Sequence, residues 1–326
     1  MLSLIVTFCV LAVVIIVAGT VLARCSDTLA DATGMGRSLA GLILLAGATS
    51  LPEFSVGWSA VRIGAYDLTL GGVIGSSLLN LLILALMDLF TQAKGRMLSR
   101  LAAAHALSAI ASIILTCVVI ASILNGSDFV LCRLGLGSWG LLLAYLFCMR
   151  LIFIDQHYTA AMTDAPQPEA PLRWKRATMG YLIAASAIFL AGPPLASSAE
   201  SIAAQTGMGQ TFFGTVFVAL ITSLPEAVTT FAAIRLGTID MAVGNILGSN
   251  AFNMAMLAGL DLATPVPLLS SVAQTHALTG TAAVLVTSVV IAGLLYRAEK
   301  RWWILEPDAV LVIVLVLGSL LAVYGQ

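Results

Sequence analysis

Apolar stretches of about twenty residues, the length a helix needs to cross a bilayer core, recur along this chain from end to end. They lie near 2–23, 38–62, 69–89, 101–124, 129–153, 176–198, 211–236, 240–261, 273–296 and 304–325. In hydrocarbon every backbone N–H and C=O must be satisfied within the protein, and for runs this long the helix does so. The expected fold is therefore an all-α polytopic membrane protein with ten transmembrane helices. Composition agrees: 60% of the residues are hydrophobic, 10% are charged, and mean hydropathy is +1.04. A soluble chain of 326 residues would need far more charge to cover its surface. Net charge is −1, which implies neither nucleic acid nor an anionic surface as a partner.

Cys9, Cys25, Cys117, Cys132 and Cys148 are scattered and read as small apolar residues in helices. His105, His157 and His276 are equally dispersed, so a histidine-built metal site is not indicated. Residues 2–23 resemble a secretory leader, but no Lys or Arg precedes them and the run is long, so a retained first helix is expected. The only sizeable polar connection is Asp155–Arg173, with Pro166, Pro168 and Pro171. With ten spans, one side of the membrane collects Arg24, Arg37, Lys94, Arg96, Arg100, Arg150, Arg173, Lys175, Arg176, Arg235, Arg297, Lys300 and Arg301. The other side keeps only Arg62 and Arg133. By the positive-inside rule the Asp155–Arg173 loop is cytoplasmic and both termini are outside.

An internal repeat runs through the chain: residues 41–90 align without a gap on 214–263. The first copy holds Ala46, Thr49-Ser50-Leu51-Pro52-Glu53, Arg62, Gly64, Asp67, Gly71, Gly75-Ser76, Asn80 and Asp88. The second holds Ala219, Thr222-Ser223-Leu224-Pro225-Glu226, Arg235, Gly237, Asp240, Gly244, Gly248-Ser249, Asn253 and Asp261. Equivalent helices are five spans apart, and an odd number reverses direction. The copies are thus expected to be two inverted five-helix repeats, an architecture that places ion sites at the midplane of many secondary transporters. The expected domains are 1–153, a short cytoplasmic linker 154–174, and 175–326.

The repeated residues have a common chemistry. Pro52 lacks an N–H and crowds the preceding turn, freeing the carbonyls of Ala48 and Thr49; Pro225 does the same for Ile221 and Thr222. Freed carbonyls at membrane depth need a partner, and a dehydrated cation is one. Beside them stand the hydroxyls of Thr49, Ser50, Thr222 and Ser223 and the carboxylates of Glu53 and Glu226. On the next helix of each copy Ser76 and Asn80, or Ser249 and Asn253, share a face at i, i+4. Oxygen ligands alone suit Na⁺ and Ca²⁺ and lack the soft donors that select transition metals. Two carboxylates balance one Ca²⁺, or most of the charge on two or three Na⁺. Ionisable residues in mid-bilayer are costly and functional by default, which sets Glu53 and Glu226 apart. Arg62, Arg235, Asp67 and Asp240 sit near span ends as interfacial anchors, and Asp88 and Asp261 as caps or solvated loop residues.

At these residues the sequence resembles the sodium/calcium exchangers of the cation/Ca²⁺ exchanger superfamily, whose two α-repeats carry a TSLPE-like motif and a G-x-x-G-S-N…N/D motif. The resemblance covers both repeats and the ten-span plan. It implies exchange of Ca²⁺ for Na⁺ by alternating access in a multi-pass protein of a bacterial-type inner or plasma membrane, with no cofactor. Carried over residue by residue, it implies ion ligands at Ala46, Thr49, Ser50, Glu53, Ser76 and Asn80, and at Ala219, Thr222, Ser223, Glu226, Ser249 and Asn253. Two departures stand out. Many bacterial and the K⁺-dependent relatives resemble the pattern with Asp where Asn253 stands, and Ser77 replaces the Asn of G-S-N that the second copy keeps as Asn250. The large Ca²⁺-sensing insertion of animal exchangers is absent, leaving a minimal prokaryotic-type core.

An H⁺/Ca²⁺ or other divalent-cation antiporter is the alternative, with the two Glu cycling protons. A channel would not need two alternately exposed half-sites. An enzyme is not indicated: no His stands in a motif with Ser, and no HExxH is present. Oligomer formation is not implied.

Overall fold

The computed structural model describes residues 2–90, 105–162, 171–206, 220–295 and 307–324, which are mostly helical. In chain order the helices are α1 (Leu2–Thr33), α2 (Gly36–Thr49, with a π-helical stretch Ala40–Leu45), α3 (Leu51–Arg62), α4 (Tyr66–Phe90) and α5 (Ala106–Asn125). There follow α6 (Leu136–Met162), α7 (Pro171–Gln205), α8 (Leu224–Arg235), α9 (Ile239–Asp261), α10 (Thr275–Leu295) and α11 (Pro307–Tyr324). Among the described residues six helices are long and apolar enough to cross a membrane, or seven if α2 and α3, bent by 41° around Ser50, form one broken span.

Three boundaries differ from the sequence reading. α1 continues ten residues past the apolar run, and its last turns meet Arg37, whose Nε and Nη2 reach Asp27 and Asp31 at 2.7 and 3.3 Å. The window 129–153 opens with a β-hairpin, Val130–Leu131 against Leu134–Gly135, and helix begins only at Leu136. Its two turn residues Cys132 and Arg133 take φ of 51° and 67°, the twist a two-residue hairpin requires. The polar linker is shorter than expected, because α6 runs on to Met162 and α7 starts at Pro171, where a first-turn proline loses no hydrogen bond. Residues 163–170 lie outside the described residues.

The chain packs as two compact units that interleave the sequence halves. The first comprises residues 1–52, 153–249 and 320–326. Within it α1 lies along α7 and also touches α8 and the π-helical stretch. Ile15, Leu22 and Ala30 face inward, whereas Val6, Val10, Val13 and Val17, at helical spacing, are each more than half exposed. An apolar outside with polar groups within is what lipid solvent selects. α2 and α9 approach closely because Gly248 and Gly244 have no side chain. A Cβ on Gly248 would stand 2.7 Å from Leu42 Cα, and one on Gly244 2.6 Å from the Ser38 carbonyl oxygen.

The second unit comprises residues 53–152 and 250–319. Here α10 packs on α5 and α4. The Asp261 carboxylate, 1% exposed, accepts the N–H of Leu268 at 2.6 Å and of Gly135 at 2.7 Å, so it caps loops as the capping reading expects. Asp67 likewise accepts the Ala273 N–H at 2.7 Å and lies 3.1 Å from His276 Nε2.

The sequence repeat reappears as a repeat of local conformation. α3 and α8 cover equivalent residues, Leu51–Arg62 and Leu224–Arg235. Each is preceded by a serine with nearly the same backbone, Ser50 at φ −83°, ψ 0° and Ser223 at φ −83°, ψ 10°. Each ends at a left-handed glycine, Gly64 at φ 80° and Gly237 at φ 77°. Two hydrogen bonds of this turn recur: Gly64 N to Val61 O and Ala65 N to Ala60 O in one copy, Gly237 N to Ile234 O and Thr238 N to Ala233 O in the other.

Candidate functional site

The first unit gathers seven of the expected residues. Thr49 and Ser50 stand where α2 ends, both at 0% exposure. The break has a local cause: Pro52 cannot donate, and the π-helical turns before it leave carbonyls misaligned. One of these, Leu44 O, takes the Tyr181 hydroxyl at 2.9 Å. The Ala46 carbonyl accepts the Ser50 N–H at 3.1 Å and the Thr49 hydroxyl at 3.4 Å. Thr49 Oγ1 also lies 3.4 Å from Ser249 Oγ, joining the two repeats. Ser223 and Glu226 open α8, buried at 0% and 1% exposure, while Thr222 is half-buried. The Thr49 and Ser50 side chains lie within electrostatic reach of the Glu226 carboxylate. Even so, among the described residues neither Glu226 oxygen closes a hydrogen bond, and nor do Ser50 Oγ and Ser223 Oγ. Ala219 lies outside the described residues.

The second unit holds the other four. Glu53 is buried in the first turn of α3, Ser76 and Asn80 lie inside α4, and Asn253 inside α9. Asn80 Nδ2 donates to Asn250 Oδ1 at 3.0 Å, and Asn250 Nδ2 donates to the Ser77 carbonyl at 3.1 Å. Among the described residues Asn80 Oδ1 and Asn253 Oδ1 are buried without a hydrogen-bond partner.

The orphaned oxygens are repeat-related. Ser50 and Ser223 are equivalent positions, and so are Asn80 and Asn253. Leaving a buried acceptor unsatisfied costs about 1–3 kcal/mol, so natural structures keep few without a reason. Carboxylate, hydroxyl and amide oxygens are hard donors, and the set fits a hard cation as transported cargo.

Two residues acquire roles the sequence reading did not give them. Asn245 donates Nδ2 to Thr229 Oγ1 and Thr230 Oγ1 at 2.9 Å each, and to the Glu226 carbonyl at 3.4 Å. It ties the first turns of α8 to α9. The available sign was that the first copy has Gly72 there, so a polar residue had been introduced into an apolar helix. Asn250, noted in the sequence only as the retained Asn of G-S-N, holds Asn80.

A multi-pass helical membrane protein with paired, buried, oxygen-rich helix breaks belongs among ion transporters. The sodium/calcium exchanger protein family matches residues 3–153 and 177–325, and the chain belongs to that family. It is 28% identical over 247 residues to the inner membrane protein YrbG of Escherichia coli (strain K12), covering 71% of each chain. It is 27% identical over 231 residues to the putative antiporter CaxA of Alkalimonas amylolytica, covering 68% of each. A solved structure of the sodium-calcium exchanger NCX_Mj shares the fold, with a TM-score of 0.71, 20% identity and 98% of both chains covered. The chain is thus an integral, multi-pass membrane transporter of the cation-exchange class.

Proposed function

We propose that this protein exchanges Ca²⁺ for Na⁺ by alternating access. It would do so with ten spans arranged as two inverted five-helix repeats, the polar linker cytoplasmic and both termini outside. The cargo cations bind the oxygens of Ala46, Thr49, Ser50, Glu53, Ser76 and Asn80 from one copy, with Ala219, Thr222, Ser223, Glu226, Ser249 and Asn253 from the other. The observation that carries this reading is the set of buried, repeat-related oxygens without hydrogen-bond partners among the described residues, Ser50 with Ser223 in one unit and Asn80 with Asn253 in the other. Family membership supports the pair of ions. The two Glu carry most of the charge balance, and the neutral Asn253 keeps the count at two carboxylates.

Two cations that share ligands must compete. Purified protein in detergent should bind ⁴⁵Ca²⁺, and Na⁺ should displace it with a dependence steeper than first order, because more than one Na⁺ replaces one Ca²⁺. Displacement by protons with indifference to Na⁺ would favour the H⁺/Ca²⁺ alternative.

A further inference from the structure

We propose that Asn250 is a positioning residue that aims the Asn80 side-chain carbonyl at the transported cation; this rests on the reading of Asn80 as a cation ligand. Ser77, Asn250 and Asn80 form a chain of donors and acceptors. A backbone carbonyl can only accept, so the end of the Asn250 carboxamide 3.1 Å from Ser77 O is its NH₂. The other end is therefore oxygen, and it lies 3.0 Å from Asn80. Asn80 must present its own NH₂ there, which turns its Oδ1 to the opposite side. Among the described residues that oxygen is buried and has no hydrogen-bond partner, on a residue 1% exposed. The backbone of one helix thus dictates, through one side chain, which way the next side chain offers its lone pairs.

The second copy lacks this device. The position equivalent to Asn250 is Ser77, whose hydroxyl is committed to Val73 O of its own helix at 3.1 Å. Asn253 is the counterpart of Asn80, and among the described residues its Oδ1 is likewise unpartnered. A carboxamide thus orients Asn80, whereas the equivalent position in the other copy holds a hydroxyl already committed to its own helix.

The test compares Asn250→Ser with wild type in reconstituted vesicles, reading the apparent Ca²⁺ affinity and the maximal flux separately. Loss of one orienting hydrogen bond should weaken apparent affinity by about three- to tenfold with maximal flux retained. The decisive arm repeats the substitution in an Asn80→Asp background. A carboxylate offers oxygen at both ends and needs no orientation, and it is repelled by Asn250 Oδ1. There Asn250→Ser should leave affinity unchanged or improve it. An equal loss in both backgrounds would mean that Asn250 only supports the fold, and no loss in either would remove its role. Asn80→Ala separates the two levels. If Asn80→Ala lowers affinity and Asn250→Ser does not, the positioning role alone is wrong. If Asn80→Ala is silent, the ligand reading fails and the positioning role with it.

Discussion

Ser249 Oγ lies 3.4 Å from Thr49 Oγ1, so a hydroxyl from the Gly-Ser helix of one copy meets a hydroxyl from the TSLPE helix of the other. Both residues are fully buried. If both serve one cation cluster, their contributions are coupled. Thr49→Val and Ser249→Ala should each lower apparent Ca²⁺ affinity by about three- to tenfold, and the double variant should lose less than the product. Strict additivity across that cycle would place them in separate roles.

Glu226 is 1% exposed with both carboxylate oxygens unpartnered, and Glu53 occupies the equivalent place in the first copy. Replacement by Gln keeps the shape and removes a charge. Glu226→Gln and Glu53→Gln should each reduce Ca²⁺ exchange by more than about tenfold, the scale on which ligand-shell changes alter metal affinity. Both variants should still fold, since neutralising an intramembrane charge relieves a desolvation cost. Near-normal exchange by Glu226→Gln would refute a two-carboxylate site.

Much of this was legible in the sequence. Apolar windows located the six long spans among the described residues because lipid imposes one backbone solution, and the TSLPE copies located the breaks because proline acts locally. The alignment even anticipated equivalent helix ends at Arg62 and Arg235. What the sequence did not give depended on contacts between segments far apart in the chain. The extension of α1 to Thr33 goes with pairing to Arg37, and the roles of Asn245 and Asn250 depend on partners on other helices or turns. The hairpin at Val130–Gly135 was hidden because β-branched and apolar residues serve a strand and a membrane helix alike.

Gly248 separates packing from ligation. A Cβ there would lie 2.7 Å from Leu42 Cα, backbone that cannot step aside, whereas Gly72 is exposed with no described atom within 4 Å. Gly248→Ala should lower stability by about 1–3 kcal/mol or more, seen as an earlier thermal transition in detergent. Gly72→Ala should be neutral or slightly stabilising, since Ala is the better helix former. Equal transitions for the two variants would contradict the close α2–α9 packing.

Asn253 marks the departure from Asp-bearing relatives. Asn253→Asp adds a titratable oxygen to a buried cluster, so exchange should fall as pH is lowered, with protons competing against cations, and should become responsive to K⁺. Asn253→Ala should weaken Na⁺ dependence and add no titration. Flux across pH, with and without K⁺, distinguishes a ligand from a helix-packing amide, which would leave Asn253→Asp indifferent to both.

The ion that couples to Ca²⁺ is read directly from flux. Proteoliposomes loaded with Na⁺ and diluted into Na⁺-free ⁴⁵Ca²⁺ should accumulate Ca²⁺, and external Na⁺ that collapses the gradient should abolish the uptake. An imposed pH gradient without Na⁺ should drive none. Uptake that proceeds equally without a Na⁺ gradient and follows the pH gradient would contradict this account and make the protein a proton-coupled exchanger.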